Sequence, residues 1–468
     1  MKEYTIIELY ELLNKGEFTS KQLVQMYIDR IQRHDGYLNS LADMNIEALH
    51  IAEVLDEERR QNGPRSYLHG IPVVVKDNIF THDSMRTTVN SYAFKDFYAP
   101  FDATIVKKLK DAGAIILAKA NCSEFAYFMS MGKMPSGYGS MFGQVKHPYN
   151  SNIDPLGSST GSAVSVAANL IPVSIGTETN GSLMSPAQQN SVVSLKPTLG
   201  LVSRHGIVPI SRLQDTAGPM SRTVEDSAIV MDIIYGKDDN DIATHRIPDF
   251  SNSYYETLKN KPNIKRIGLL RFDNYPNDSE EEKILSEAKE LFKSLNIEIT
   301  DIEFTYNLPS NRITLQHEFK HEINAFLSSL SAYTNMRTLK DIIDYNKQQS
   351  LRCLRYGQVD LIQSEMTDGR LKDQTYLSLR KSLVQEVDMF KSLFDKYQID
   401  AMITTKISGY PAIAGIPSMI VPAKPLIDLS PKSLILLGKE WQEHTLFNLA
   451  YYYEHQTQHR VPPKINCD

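Results

Sequence analysis

Between Gly70 and Ile234 the chain switches repeatedly between two textures, and this switching restricts the fold more than any other feature. GIPVVVKDNIF is an apolar, β-branched run bounded by Gly70 and Asn78. A run without polar alternation predicts a strand buried on both faces. DATIVKKLKDAGAIILAKAN then reads as helix, glycine, strand. The alternation continues to about Ile234, so the expected class is α/β, with a sheet layered against helices.

The flanks fit around this centre. Ile6, Leu9, Leu12 and Leu13 recur at helical spacing. Thr19 and Ser20 are placed to cap a second helix with an apolar face of Leu23, Met26, Tyr27 and Ile31. A third helix stops at Asn62-Gly63-Pro64. Residues 1–64 therefore read as a helical layer and 65–235 as a core. IKRIGLLRF, SEEEKILSEAKELFKSL and IEITDIEF have the pattern of a β-α-β unit. Residues from about 310 to 400 are charged and helical, as expected of a cover. IDAMITTKI and GIPSMIVPA return to buried-strand texture, and a helix over WQEHTLFNLAYYYEHQTQ closes the chain.

Bulk properties exclude several classes. At 468 residues the chain has room for two domains or one large α/β domain. A net charge of -6 argues against nucleic acid as a partner, because that surface needs a basic face. No apolar stretch reaches the length of a bilayer span. Cys122, Cys353 and Cys467 are far apart and form no C-x-x-C pair. A reducing, cytoplasmic setting is expected.

Three local patterns offer competing chemistries. His317, Glu318 and His321 fit H-E-x-x-H, which on a helix puts two zinc ligands on one face with a base between them. It needs a third ligand, for which Glu365 is available; the plain alternative is two histidines on a solvated helix face. Gly157-Ser158-Ser159-Thr160-Gly161 fits the G-x-S-x-G elbow, with Ser159 as nucleophile and His444 or His455 completing a triad. That elbow requires a strand before it, and KHPYNSNIDPLG reads as loop. The third pattern joins Lys76, at the end of its apolar run, to Ser158 and Ser182. Burial would leave the lysine partly neutral and able to take a proton. Ser158 would relay it, Ser182 would attack a carbonyl, and the N–H groups of Thr179 to Ser182 would stabilise the oxyanion. By residue type alone these are equally a snorkelling lysine and two turn serines.

The wording of these pieces resembles the amidase signature family. GIPVVVKDN is similar to its lysine strand and GSSTGSAVSVAANLIPVSIGTETNGS to its glycine-serine block. VVSLKPTLGLVSRHGIVPIS and QDTAGPMSRTVEDSA follow in the family's order. The resemblance resumes at GYPAIAGIPSMIVPA and is weakest from about 240 to 400. It implies one domain over 1–468: a single large mixed β-sheet covered by helices on both faces, with 236–400 as a variable substrate-covering region and 401–468 returning to the core. It implies Ser182 as nucleophile, Ser158 as a bridging serine after a non-proline cis peptide, and Lys76 as base. The oxyanion would sit on the main-chain N–H groups of Thr179, Asn180, Gly181 and Ser182, with Ser159 as a supporting hydrogen bonder and no metal or cofactor. Asn180 stands where many members have glycine, and Met184 where many have arginine. GTETNGS is most similar to the bacterial peptide-amidase-like branch, which implies a peptide amide or small carboxamide as substrate. The rival is a glutaminase-type subunit of a tRNA-dependent amidotransferase complex, and a further option is a silent binding protein on the same fold.

Overall fold

The structure, a computed structural model, describes residues 2–249, 252–424 and 431–465. Its frame is an eleven-stranded mixed sheet. Across it the strands run Leu41–Met44, Ile115–Ala120, Pro72–Lys76, Val173–Glu178, Thr216–Ser221, Val193–Lys196, Ser418–Pro422, Ser433–Gly438, Ala401–Thr404, Arg266–Phe272 and Glu298–Phe304. Pro72–Lys76 lies parallel to both Ile115–Ala120 and Val173–Glu178. Every residue of these three strands is buried, which is why each reads as a mainly apolar or small-residue run, with Lys76, Lys119 and Glu178 as its charged members. Because the strands are parallel, Lys76 and Glu178 finish at the same edge of the sheet. Loops at the carboxyl ends of parallel strands are where α/β folds gather a site.

Local chemistry sets the boundaries. Thr19 and Gln22 form a reciprocal capping box at the start of Ser20–Leu38. The helix Ala48–Asn62 ends on Gly63, whose φ is +77°. Thr104–Asp111 crosses from Pro72–Lys76 to its parallel neighbour Ile115–Ala120.

Two expectations need correction. Residues 1–64 are not only helical: Leu41–Met44 forms an edge strand antiparallel to Ile115–Ala120. Only Leu41 of its four residues is buried, so it carries no apolar run. The segment 236–400 is not only a cover. Arg266–Phe272, the helix Ser279–Ser294 and Glu298–Phe304 form the expected β-α-β unit, and its two parallel strands extend the main sheet. The helices Arg312–Ser329, Leu339–Gln348 and Gln374–Lys396 are the longest elements of the stretch that follows. Cys122 and Cys353 are buried and unbridged, whereas Cys467 lies outside the described residues. Among the described residues no helix is long and apolar enough to cross a membrane.

Candidate active site

Lys76 is the last residue of its strand and is fully buried. Its Nζ lies 2.8 Å from Ser158 Oγ, 3.0 Å from Ser159 Oγ, 2.9 Å from Thr177 Oγ1 and 3.3 Å from the Thr177 carbonyl oxygen. Burial pulls the amine down to about 8, and the more distant Cys122, Glu178 and Asp215 only partly oppose this. Near neutral pH a usable fraction is therefore uncharged, and an uncharged amine has a lone pair.

The surrounding bonds decide what that lone pair faces. Ser159 donates its hydroxyl hydrogen to the Thr177 carbonyl at 2.9 Å and accepts the Thr177 N–H at 3.1 Å. Thr177 Oγ1 accepts from Asn78 Nδ2 at 3.0 Å. Ser159 thus has its hydrogen committed, while the Ser158 hydroxyl remains able to exchange a proton with the amine. Ser158 follows a cis peptide bond from Gly157. Ser159 packs tightly against the strand Val173–Glu178, where a Cβ on Gly176 would come 2.9 Å from Ser159 Oγ.

After Glu178 the chain turns through Thr179–Ser182. Gly181 has φ +81°, a conformation that glycine adopts without strain. Ser182 is half-buried and joins the cluster through its main chain, its carbonyl accepting the Ser159 N–H at 3.3 Å. The buried Glu178 carboxylate accepts the N–H groups of Leu183 and Met184 at 2.7 and 3.2 Å. Both main-chain donors reach the same oxygen, Oε2. On the other side Thr179 Oγ1 donates to Asp215 Oδ1 at 2.5 Å, and Asp215 Oδ2 accepts the N–H groups of Ile210 and Ser211, each at 2.8 Å. Burial pushes the Asp215 carboxyl up to about 6.

The structure therefore brings Lys76, Ser158 and Ser159 into direct contact, with the Thr179–Ser182 turn beside them. Sequence reasoning missed Thr177 and Asn78, although they lie within GTETNGS and GIPVVVKDN; a threonine in a buried strand was the available signal. It also missed Asp215, Gln214 and Asn311, which support the turn from distant parts of the chain.

The other two patterns come apart. Ser159 sits at the start of the helix Thr160–Ala167 with no strand before it, and its oxygen is enclosed by Lys76 and Thr177. His444 packs on Tyr254 with ring centroids 4.2 Å apart, and His455 stacks on Tyr451. In the HEFKH segment His317 and Glu318 are buried while His321 is exposed. Glu318 accepts from the Tyr376 hydroxyl at 3.1 Å, His321 Nδ1 lies 2.9 Å from the Gly369 carbonyl, and Glu365 pairs with Lys320 at 3.4 Å. Among the described residues no three His, Cys, Asp or Glu side chains gather as a metal site.

The Amidase family model matches residues 22–418. The chain belongs to the amidase signature family. It is an amide hydrolase by that membership. A solved peptide amidase from Stenotrophomonas maltophilia is 36% identical, with TM-score 0.91 over 99% of each chain. A probable amidase of Arabidopsis thaliana is 36% identical over 99% of this chain and 92% of its own. A glutamyl-tRNA(Gln) amidotransferase subunit from Thioalkalivibrio sulfidiphilus is 32% identical over 99% of both.

Proposed function

We propose that this amidase cleaves the C-terminal amide of a peptide, or a small carboxamide, through an acyl-enzyme on Ser182. The reading is supported above all by the buried Lys76 amine, 2.8 Å from Ser158 Oγ, beside a turn that ends in Ser182. In this reading the neutral Lys76 amine takes the Ser158 proton as Ser158 takes that of Ser182. The Ser182 oxygen bonds to the amide carbon, and the carbonyl oxygen becomes an oxyanion. The N–H groups of Thr179, Asn180, Gly181 and Ser182 face that charge. The C–N bond then breaks while Ser158 passes its proton to the nitrogen and recovers one from Lys76, since an unprotonated amide nitrogen is a poor leaving group. Water enters by the same relay and releases the carboxylate. Residues 1–468 act as one domain, with the helices after Glu298–Phe304 covering the site. The peptide preference is supported by the likeness to the peptide amidase across the whole chain.

A fluorophosphonate probe followed by peptide mapping tests the nucleophile, and ammonia release from a panel of peptide amides tests the substrate. The expected label is on Ser182; a label on Ser159 would overturn this mechanism. The identity to the amidotransferase subunit supports a second reading as a glutaminase acting within a complex. Glutamine turnover that requires added partner subunits, with none on peptide amides, would favour it.

A further inference from the structure

The oxyanion turn is held firmly at both ends. Thr179 is anchored on Asp215, and Glu178 fixes the amides that follow Ser182. Between them Gly181 leaves the backbone permissive, yet an oxyanion site works only if its donors point at the oxygen before charge develops there. The side chain of Asn180 supplies an anchor for this middle part. Its Nδ2 donates to Asn311 Oδ1 at 3.3 Å. Asn311 Nδ2 donates to Gln214 Oε1 at 3.2 Å, and Gln214 Nε2 donates to the Thr179 carbonyl at 3.0 Å. The chain of amides leaves the turn at residue 180 and returns at 179, each NH₂ giving to the next oxygen. Asn311 and Gln214 are almost fully buried, so a broken link would leave polar groups unpaired. Asn311 is itself fixed at the start of Arg312–Ser329, where its carbonyl accepts from Thr314 Oγ1 at 2.7 Å and from the Leu315 N–H at 2.9 Å. Gly409 closes the opposite side, where a Cβ would come 3.5 Å from the Asn180 amide.

We propose that Asn311 is a positioning residue for the oxyanion turn, acting through the Asn180 side chain, so that the covering segment after Glu298–Phe304 is bolted to the catalytic loop. This rests on the proposed role of the Thr179–Ser182 amides. Asn311 touches no reacting atom; it fixes the direction of the Asn180 N–H. The departure from glycine at position 180 then has a purpose, because glycine has no side chain with which to reach Asn311.

The test compares Asn311→Ala, Asn180→Gly and the double variant for kcat, for KM on a peptide amide, and for inhibition by a peptide aldehyde, whose adduct with the serine carries the same oxyanion. Each single variant is expected to lose about tenfold in kcat with KM within about twofold, since small misplacement of a catalytic group is costly. Aldehyde affinity should fall by the same factor as kcat. The double variant should lose no more than either single one, because both cut the same chain. A rise in KM at unchanged kcat, multiplying losses in the double variant, or full kcat in Asn180→Gly would overturn the proposal; Asn180→Gly changes an exposed side chain and keeps the test open should Asn311→Ala fail to fold. Ser182→Ala is the separate control. Full turnover there would overturn the amidase mechanism itself, whereas its loss beside an unimpaired Asn311→Ala would sink only the positioning role.

Discussion

Lys76 and Lys196 end two strands of the same sheet, and both are buried to within 2% of full exclusion. Burial draws both amines down to about 8. Their surroundings differ. Lys76 meets three hydroxyls and a carbonyl. Lys196 donates to the carbonyl of the adjacent Pro197 at 2.9 Å, with the buried Glu443 and Glu178 as its charged neighbours. Lys119 repeats the second case: it is buried, is drawn down to about 8, and bonds to the Ile79 carbonyl with Asp77 nearby. A lowered amine pKa therefore reports burial. Base chemistry also needs a hydroxyl able to give up its proton, and only the Lys76 end of the comparison provides one.

The largest expected effect separates these two lysines. Lys76→Met should lower kcat/KM by about 10⁴-fold, the upper range for loss of a positioned base. Lys196→Met should change it by no more than about threefold. Steady-state kinetics on one peptide amide, with circular dichroism to check the fold, decides the matter. Equal losses in two folded variants would end the distinction.

The next effect is on pH. The relay needs neutral Lys76, so activity should rise about tenfold per unit as pH approaches about 8 from below and level off above it. Lys196 should leave no trace in this profile, and Lys196→Met should keep the same midpoint. A flat profile between about pH 6 and pH 8 would remove Lys76 as the base.

The strands carrying Lys76 and Lys119 were legible because they are buried on both faces, so PVVVK and IILAKA keep their apolar texture. Leu41–Met44 was not, because a four-residue edge strand with one buried side chain has no pattern to find. Ser433–Gly438 carried the same kind of signal, since SLILLG is a buried apolar run as long as IILAKA, and the sequence reading passed over it. At the site, residue types alone left Lys76, Ser158 and Ser182 open between chemistry and ordinary turn structure; the family wording singled them out. The Asn311 contact was not legible at all. It joins positions 131 residues apart, and nothing local to either asparagine announces the other.

A smaller effect separates the HEFKH helix from the lysine site. EDTA should leave the rate unchanged within about twofold, because Glu318 is engaged by Tyr376 and His321 is exposed beside the Gly369 carbonyl. Inhibition by a chelator that added zinc reverses would restore the metal reading.

The smallest effect is on stability, and here Lys76 and Lys196 should behave alike. Each has a folded-state value of about 8 against an ordinary 10.5. Between those values the unfolded chain holds a proton that the folded chain has released, so each lysine makes stability rise with pH across that window. Below about 8 both states are protonated and the contribution is flat, at its least favourable level. Replacing either lysine with methionine should therefore flatten the pH dependence of Tm between about pH 8 and pH 10. The slopes should match for the two variants although their activities differ by orders of magnitude. Matched slopes would show that both folded-state amines release their proton across the same window; a flattened slope for Lys196→Met alone would mean that folded Lys76 keeps its proton up to the ordinary lysine range, which would remove it as a neutral base near pH 8.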